Sequence, residues 1–387
     1  MHSNLERRSP AAATLLKQIE TQFKWLFFWL FLRLSGGDIR RQTRVFDPIR
    51  FKKVLVLRHD RIGDMVITLP ALHALKAHWP HLQIDVLASP INHLLIRDDS
   101  SVNRIFVYEK KNLQRSFSTL RTMRAQKYDA VIDPLTGVSI TALALTAFVG
   151  PNSFKLGISK QVLGTFYDFY SHEDLSRKGH VSQQIEECLG LFGIDLDEAD
   201  KDCSIRLSQQ QWRKGVDLIE SIRLTGYSRL IGINISAGRI NRSWDEHRYS
   251  EVLKRLSPAY PDFQFIIFCV PDEREKAKMV VAAGGRNVSL IPPRLSITDV
   301  VAMIRNLYAV VSPDTAICHI AASLDIPLLA LYSADEHNFK RMRPFARSVW
   351  HIRGKEGDTL DSISVDDFLH GFASFVRDLQ QVAAVGR

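Results

Sequence analysis

Residues Val54–Trp79, VLVLRHDRIGDMVITLPALHALKAHW, constrain the fold more than any other stretch. Val54 and Val56 fall on one side of an extended chain, Leu55 and Leu57 on the other; four apolar residues in a row predict a strand buried on both faces. His59-Asp60-Arg61 makes a polar turn. Val66, Leu69, Leu72 and Leu75 then recur at helical spacing, so a helix follows almost at once. At such a junction, N–H groups of the first helical turn point outward and favour negative charge. Gly63 lets a ligand come close to that backbone. Asp64 stands at the helix start. Its carboxylate is either an N-cap or a group free to act on a ligand as a weak base.

The same alternation continues. Leu82–Ala88, Ile105–Tyr108 and Tyr128–Asp133 read as strands, Leu113–Ala125 and Val138–Val149 as helices. Phe166–Lys178, aromatic and charged, reads as a loop beside the cleft. His180–Phe192 and Ser208–Arg223 read as helices ended by Gly193 and Gly226. A second series follows, with strands at Leu230–Ile235, Phe263–Val270, Asn287–Ile291, Ala309–Ser312 and Pro327–Tyr332. Helices fall at Ser250–Leu256, after Pro271-Asp272-Glu273, at Ile297–Asn306 and at Ala316–Leu324. The last helix, Val365–Val382, packs after the sheet is complete or crosses back to the first domain. Strands alternating with helices predict two α/β, doubly wound, Rossmann-like domains facing a central cleft. The expected divisions are 1–50, 51–210 and 211–387.

Lys+Arg exceed Asp+Glu by 51 − 42 = 9, which suits an anionic partner. No Lys/Arg tract tracks a nucleic-acid backbone, so a phosphorylated substrate or acidic lipid is preferred and nucleic acid is not expected. Cys188, Cys203, Cys269 and Cys318 form no C-x-x-C pair and no zinc spacing, so no metal site is expected and a reducing compartment is. Neither G-x-G-x-x-G nor G-x-x-x-x-G-K-[ST] occurs, against a dinucleotide oxidoreductase and a P-loop phosphotransferase. Near the N-terminus, Leu15, Leu16, Ile19, Phe23, Leu26, Phe27 and Leu30 follow helical spacing, and Trp25–Leu32 is apolar all round. That run is shorter than the roughly 20 residues needed to span a bilayer. Flanked by Lys24, Arg33, Arg40, Arg41 and Arg44, residues 14–34 suit a helix lying on a membrane surface; the alternative is packing on protein.

Ser312-Pro313-Asp314-Thr315-Ala316-Ile317-Cys318-His319 repeats the logic of strand, short turn and helix start. Thr315 and the first N–H groups can hold a diphosphate, and His319, one turn on, can face the same ligand. Otherwise Asp314 caps the helix and His319 is a core histidine. Ser236, Arg239 and Arg242, after the strand Leu230–Ile235, suit phosphate unless their loop is merely solvated. Glu273 either accepts hydrogen bonds from sugar hydroxyls or is a first-turn carboxylate favoured by the helix dipole.

RHDRIGDMVITLPALHALKAHWP resembles the N-terminal signature of the heptosyltransferases of glycosyltransferase family nine. SPDTAICHIAASLDIPLLALYS resembles their C-terminal signature, Asn241-Arg242-Ser243-Trp244 their Lys-Arg-Trp stretch, and Val270-Pro271-Asp272-Glu273 their Gly-Pro-x-Glu stretch. The resemblance runs from about residue 52 to 350 in the family's order. It implies the GT-B architecture, with an N-terminal acceptor domain and a C-terminal domain holding the nucleotide sugar. It also implies inverting, metal-independent transfer of heptose from ADP-heptose to a lipid-linked acceptor, the lipopolysaccharide core, with no cofactor. Carried over, Asp64 is the general base, and Arg242 stands where a phosphate-contacting lysine is usual. Glu273 holds the donor; Asp314, Thr315 and His319 hold its phosphates or sugar, and Ala316 replaces a glycine. Arg58, Asp60, Arg61 and Gly63 line the acceptor side of the cleft. The expected location is the cytoplasmic face of the inner membrane of a Gram-negative bacterium. Two other classes stay open: a GT-B nucleotide-sugar epimerase, and a non-catalytic binding protein that kept the fold.

Overall fold

The computed structural model describes Leu26 and residues 46–385, apart from 110–111, 136–138, 159–165, 171–179, 196–202, 345 and 347. Residues 14–34, the expected membrane-surface helix, lie outside the described residues, Leu26 excepted.

The first half contains β1 (Lys53–Arg58), α1 (Ile62–His78), β2 (Gln83–Ala88), β3 (Arg104–Val107), α2 (Leu113–Arg124), β4 (Ala130–Asp133), α3 (Ile140–Val149), β5 (Phe154–Gly157), β6 (Phe169–Tyr170) and α4 (Val181–Gly190). After α5 (Gln209–Glu220), the second half runs β7 (Arg229–Asn234), α6 (Glu246–Ala259), β8 (Phe263–Phe268), α7 (Arg274–Ala283), β9 (Val288–Leu290) and α8 (Ile297–Ile304). It continues with β10 (Ala309–Pro313), α9 (Ala316–Ser323), β11 (Leu328–Tyr332), α10 (Glu336–Met342), β12 (Val349–Arg353) and α11 (Val365–Val385).

Each half makes one parallel six-stranded sheet, ordered β3-β2-β1-β4-β5-β6 and β12-β11-β10-β7-β8-β9. In each, the chain winds outward from the middle in one direction, returns, and winds out in the other. The crevice where direction reverses lies beyond the carboxyl ends of β1 and β4 in one sheet and β7 and β10 in the other. The turn carrying Asp60 and Asp64 and the turn carrying Asp314 and Thr315 both leave from those strand ends.

Burial explains the strands. Val54 and Val56 join a core with Met65, Val66, Leu69, Leu72 and Leu75 of α1, while Leu55 and Leu57 join a separate core with Met123, Ala142 and Leu145. Burying one such side chain stabilises by about 1.5–3 kcal/mol, so both faces hold β1 in register. The core behind α1 continues into Cys318, Ile320 and Ala321 of α9 and Val301, Met303 and Ile304 of α8, joining the two lobes. α5 lies on α8, where a Cβ at Gly215 would stand 2.5 Å from the Ala302 Cβ, and Lys214 Nζ meets Asp299 Oδ1 at 2.6 Å.

Four elements depart from the sequence reading. β5 and β6 extend the first sheet, and Phe169–Tyr170 forms its edge rather than a loop. α10 and β12 follow β11, which was expected to close the second sheet. α11 packs on α6 and β12. Its Phe368 stacks on Trp244 at 5.2 Å, and Trp244, 2 % exposed, donates from Nε1 to the Ile363 carbonyl at 3.1 Å.

Candidate active site between the two sheets

The turn after β1 is built on a buried arginine. Arg58 is 2 % exposed, and its Nε donates to Thr68 Oγ1 at 2.6 Å and its Nη1 to Asp60 Oδ2 at 3.0 Å. Thr68 Oγ1 donates to the Asp64 carbonyl at 2.7 Å. Asn92 Nδ2 donates to the carbonyls of Arg58 and Arg61 at 2.8 and 3.2 Å. A guanidinium out of water needs such partners, and here they fix the turn. Arg58, expected to line the acceptor side, instead acts from beneath as a positioning residue. Asp60 is half-buried; burial pushes its carboxyl up, Arg58 opposes this, and the Asp64 charge adds to it. Asp64 is the third residue of α1. The N-cap position belongs to Arg61, without a side-chain cap, so the cap reading of Asp64 is replaced. Asp64 is half-buried, and among the described residues its carboxylate has no hydrogen bond or ion pair.

The start of α9 is built alike. Thr315, not Asp314, is the N-cap; its Oγ1 accepts from the Ile317 amide at 3.3 Å. Asn234 Nδ2, at the end of β7, donates to Ser312 Oγ at 3.0 Å and to Thr315 Oγ1 at 3.2 Å. Asp314 is buried and its carboxylate is engaged, by Arg242 Nη1 at 3.1 Å and Asn338 Nδ2 at 2.8 Å. Arg242 Nη2 also donates to Asn338 Oδ1 at 2.9 Å. Asp314 thus orients Arg242. Ser236 is buried as well; its Oγ accepts from the Val270 amide at 2.9 Å and ties the loops after β7 and β8 together. Arg239 is exposed, and Glu273 is a half-buried residue at the start of α7 that caps nothing with its side chain.

These two helix starts meet. A Cβ at Gly63 would stand 3.0 Å from His319 Cδ2 and 3.7 Å from the Ala316 Cα. Gly63 is therefore small for the sake of α9; the ligand approach expected there is filled by the His319 ring. His319 is buried, which pushes its pKa down; Asp314 and Asp64 oppose, and Arg242 adds to the lowering. A neutral imidazole follows near neutral pH. Behind it lies an apolar pocket between Val66 and Ile67 of α1, Ile185 of α4 and Ala322 of α9. The amides of Thr315 and Ala316 have no acceptor among the described residues. Two positive helix ends with Arg61, Arg239 and Arg242 around them make a strongly anion-attracting cleft.

The structure thus brings Arg61, Gly63 and Asp64 together with Arg239, Arg242, Asp314, Thr315, Ala316 and His319. Ser236 supports this group and ties to it the loop after β8, at whose end Glu273 stands. Four supporting residues escaped the sequence reading: Thr68, Asn92, Asn234 and Asn338. A polar residue ending the apolar run Leu230–Asn234 was the available signal for Asn234; Asn338 had none, since α10 itself was unread.

A sequence model of glycosyltransferase family 9 (heptosyltransferase) matches residues 116–366. The chain belongs to glycosyltransferase family 9. The matched segment of the family contains the α9 start; Asp64 precedes it. Lipopolysaccharide heptosyltransferase 3 of Escherichia coli is 21% identical over 296 residues, 74% of this chain and 83% of that one. Lipopolysaccharide heptosyltransferase 2 of Salmonella typhimurium is 24% identical over 343 residues, 79% of this chain and 91% of that one. The crystal structure of the family 9 glycosyl transferase from Veillonella parvula superposes with a TM-score of 0.74 at 18% identity, covering 86% of this chain and 99% of that one. Escherichia coli heptosyltransferase WaaC with ADP does so with a TM-score of 0.67 at 19% identity, covering 84% and 99%. The fold is GT-B, as the family resemblance implied.

Proposed function

We propose that this enzyme transfers heptose, with inversion, from a nucleotide-diphosphate sugar, ADP-heptose, to the lipopolysaccharide core or a related glycolipid. Residues 51–210 form the acceptor lobe and 211–387 the donor lobe. The reading rests on one observation above all: the Gly63–Asp64 helix start of the first lobe touches the His319 turn of the second. The diphosphate lies on the free amides at Thr315 and Ala316 and against Arg242, which Asp314 and Asn338 hold in place. His319, neutral, donates or accepts a hydrogen bond at the sugar or phosphate. Asp64 accepts the proton of an acceptor hydroxyl. That oxygen forms a bond to the anomeric carbon from the face opposite the diphosphate, and the bond from that carbon to the phosphate oxygen breaks. The transition state has oxocarbenium character, and negative charge grows on the departing diphosphate, where the amides and Arg242 already point.

The family assignment favours transfer over epimerisation, and the lipopolysaccharide heptosyltransferases among the relatives favour that acceptor. The enzyme works on the cytoplasmic face of the inner membrane of a Gram-negative bacterium. The test is to incubate the full chain with ADP-heptose, with and without a heptose-free lipopolysaccharide core, and to follow ADP release and acceptor mass. Release only with acceptor, matched by one added heptose, is expected. Sugar interconversion without acceptor would assign an epimerase, and no turnover in either arm a binding protein.

A further inference from the structure

The turn before α1 carries an arginine that this chemistry has not used. Arg61 is exposed, holds the N-cap position without capping, and makes no ion pair among the described residues; only its carbonyl is bonded, by Asn92 Nδ2 and the Met65 amide. Two residues on, Gly63 lies against His319, so Arg61 stands beside the start of α9 with its unoccupied Thr315 and Ala316 amides. Across the cleft, Arg239 is exposed and also without an ion pair among the described residues. The guanidinium of Arg61 is the largest influence on that of Arg239 and lowers its pKa, ahead of burial and Arg242. Asp314 opposes this lowering, but its carboxylate is already engaged by Arg242. Exposed guanidinium groups brought together from two lobes repel one another, a cost that a dianion bound between them removes.

We propose that Arg61 is a ligand of the donor diphosphate supplied by the acceptor lobe, so that one diphosphate bridges Arg61 to Arg239 and the α9 amides and draws the lobes together. This rests on the nucleotide-sugar reading above and moves Arg61 from the acceptor side, where the sequence placed it, to the donor. A phosphate carried by the acceptor lipid has the same chemistry, so the test uses donor fragments with no acceptor present.

ADP and AMP are titrated calorimetrically into the full chain, into Arg61→Ala, Arg61→Lys and Arg239→Ala, and the ligand-free melting temperatures are recorded. Arg61→Ala and Arg239→Ala should each weaken ADP about tenfold but AMP about threefold or less. Arg61→Lys should recover most of the loss. The ligand-free melting temperature of Arg61→Ala should equal or exceed that of the parent, because repulsion is relieved. ADP binding to Arg61→Ala as tightly as to the parent overturns the proposal and points to the acceptor's phosphate. A lowered melting temperature with ADP and AMP weakened alike, unrescued by lysine, overturns it in favour of a structural role. Failure of the parent itself to bind ADP removes the donor reading along with it.

Discussion

At the scale of single residues, the two side chains proposed to act on the substrates, Asp64 and His319, were legible because each lies in the first turn of a helix that follows a buried strand. His319 is buried, so its folded pKa lies below the ordinary 6.5, despite the pull of Asp314 and Asp64. The sign follows: stability from this site is present above that pH and lost as pH falls through the folded value. Nitrogen-detected NMR of the imidazole should find His319 neutral at pH 6.5; a ring still protonated there would contradict its environment. Asp64 was read from the same junction logic with two alternatives, a cap or a free carboxylate, and the structure removes the first by placing Arg61 in the cap position. Asp314 shows the limit of residue-level reading. Its signature position suggested contact with the ligand, yet its carboxylate serves Arg242 and Asn338.

At the scale of elements, the strand–helix alternation predicted β1 and α1 well because burial on both faces leaves an unbroken apolar run. Edge strands leave no such mark. β12 (Val349–Arg353) has one buried residue in five, and β6 is two half-buried residues, so neither stands out from a loop. The turn after β1 is an element with its own energetics. Arg58→Ala removes the partner of a half-buried carboxylate and the donor to Thr68, and should destabilise by about 3 kcal/mol or more in urea unfolding. A loss under about 1 kcal/mol would mean that the buried guanidinium does not organise the turn. Trp244 is an element-level anchor too. It lies in the stretch that resembles the family's Lys-Arg-Trp, and it is buried against Phe368, so it fixes the Arg242 loop to α11 rather than meeting a ligand.

At the scale of the molecule, both sheets share one winding order, which the two alternating series in the sequence implied. How the lobes meet was not legible, because the contacts join residues far apart in the chain. Gly63 lies against His319, and His180 Nε2 is 2.6 Å from the Arg343 carbonyl. No described helix is long and apolar enough to cross a membrane. We propose that residues 14–34 and the basic excess hold the enzyme at an anionic lipid surface. The full chain should float with acidic liposomes and a chain starting at Lys52 should not; equal flotation would remove that role. The central claim is that Asp64 of one lobe takes the acceptor proton opposite a diphosphate cradle in the other. Single-turnover transfer by Asp64→Ala, with ADP affinity measured on the same sample, tests it most directly. The rate should fall by about 10²–10⁴-fold with ADP affinity unchanged within about twofold, and transfer at the parent rate would contradict the account.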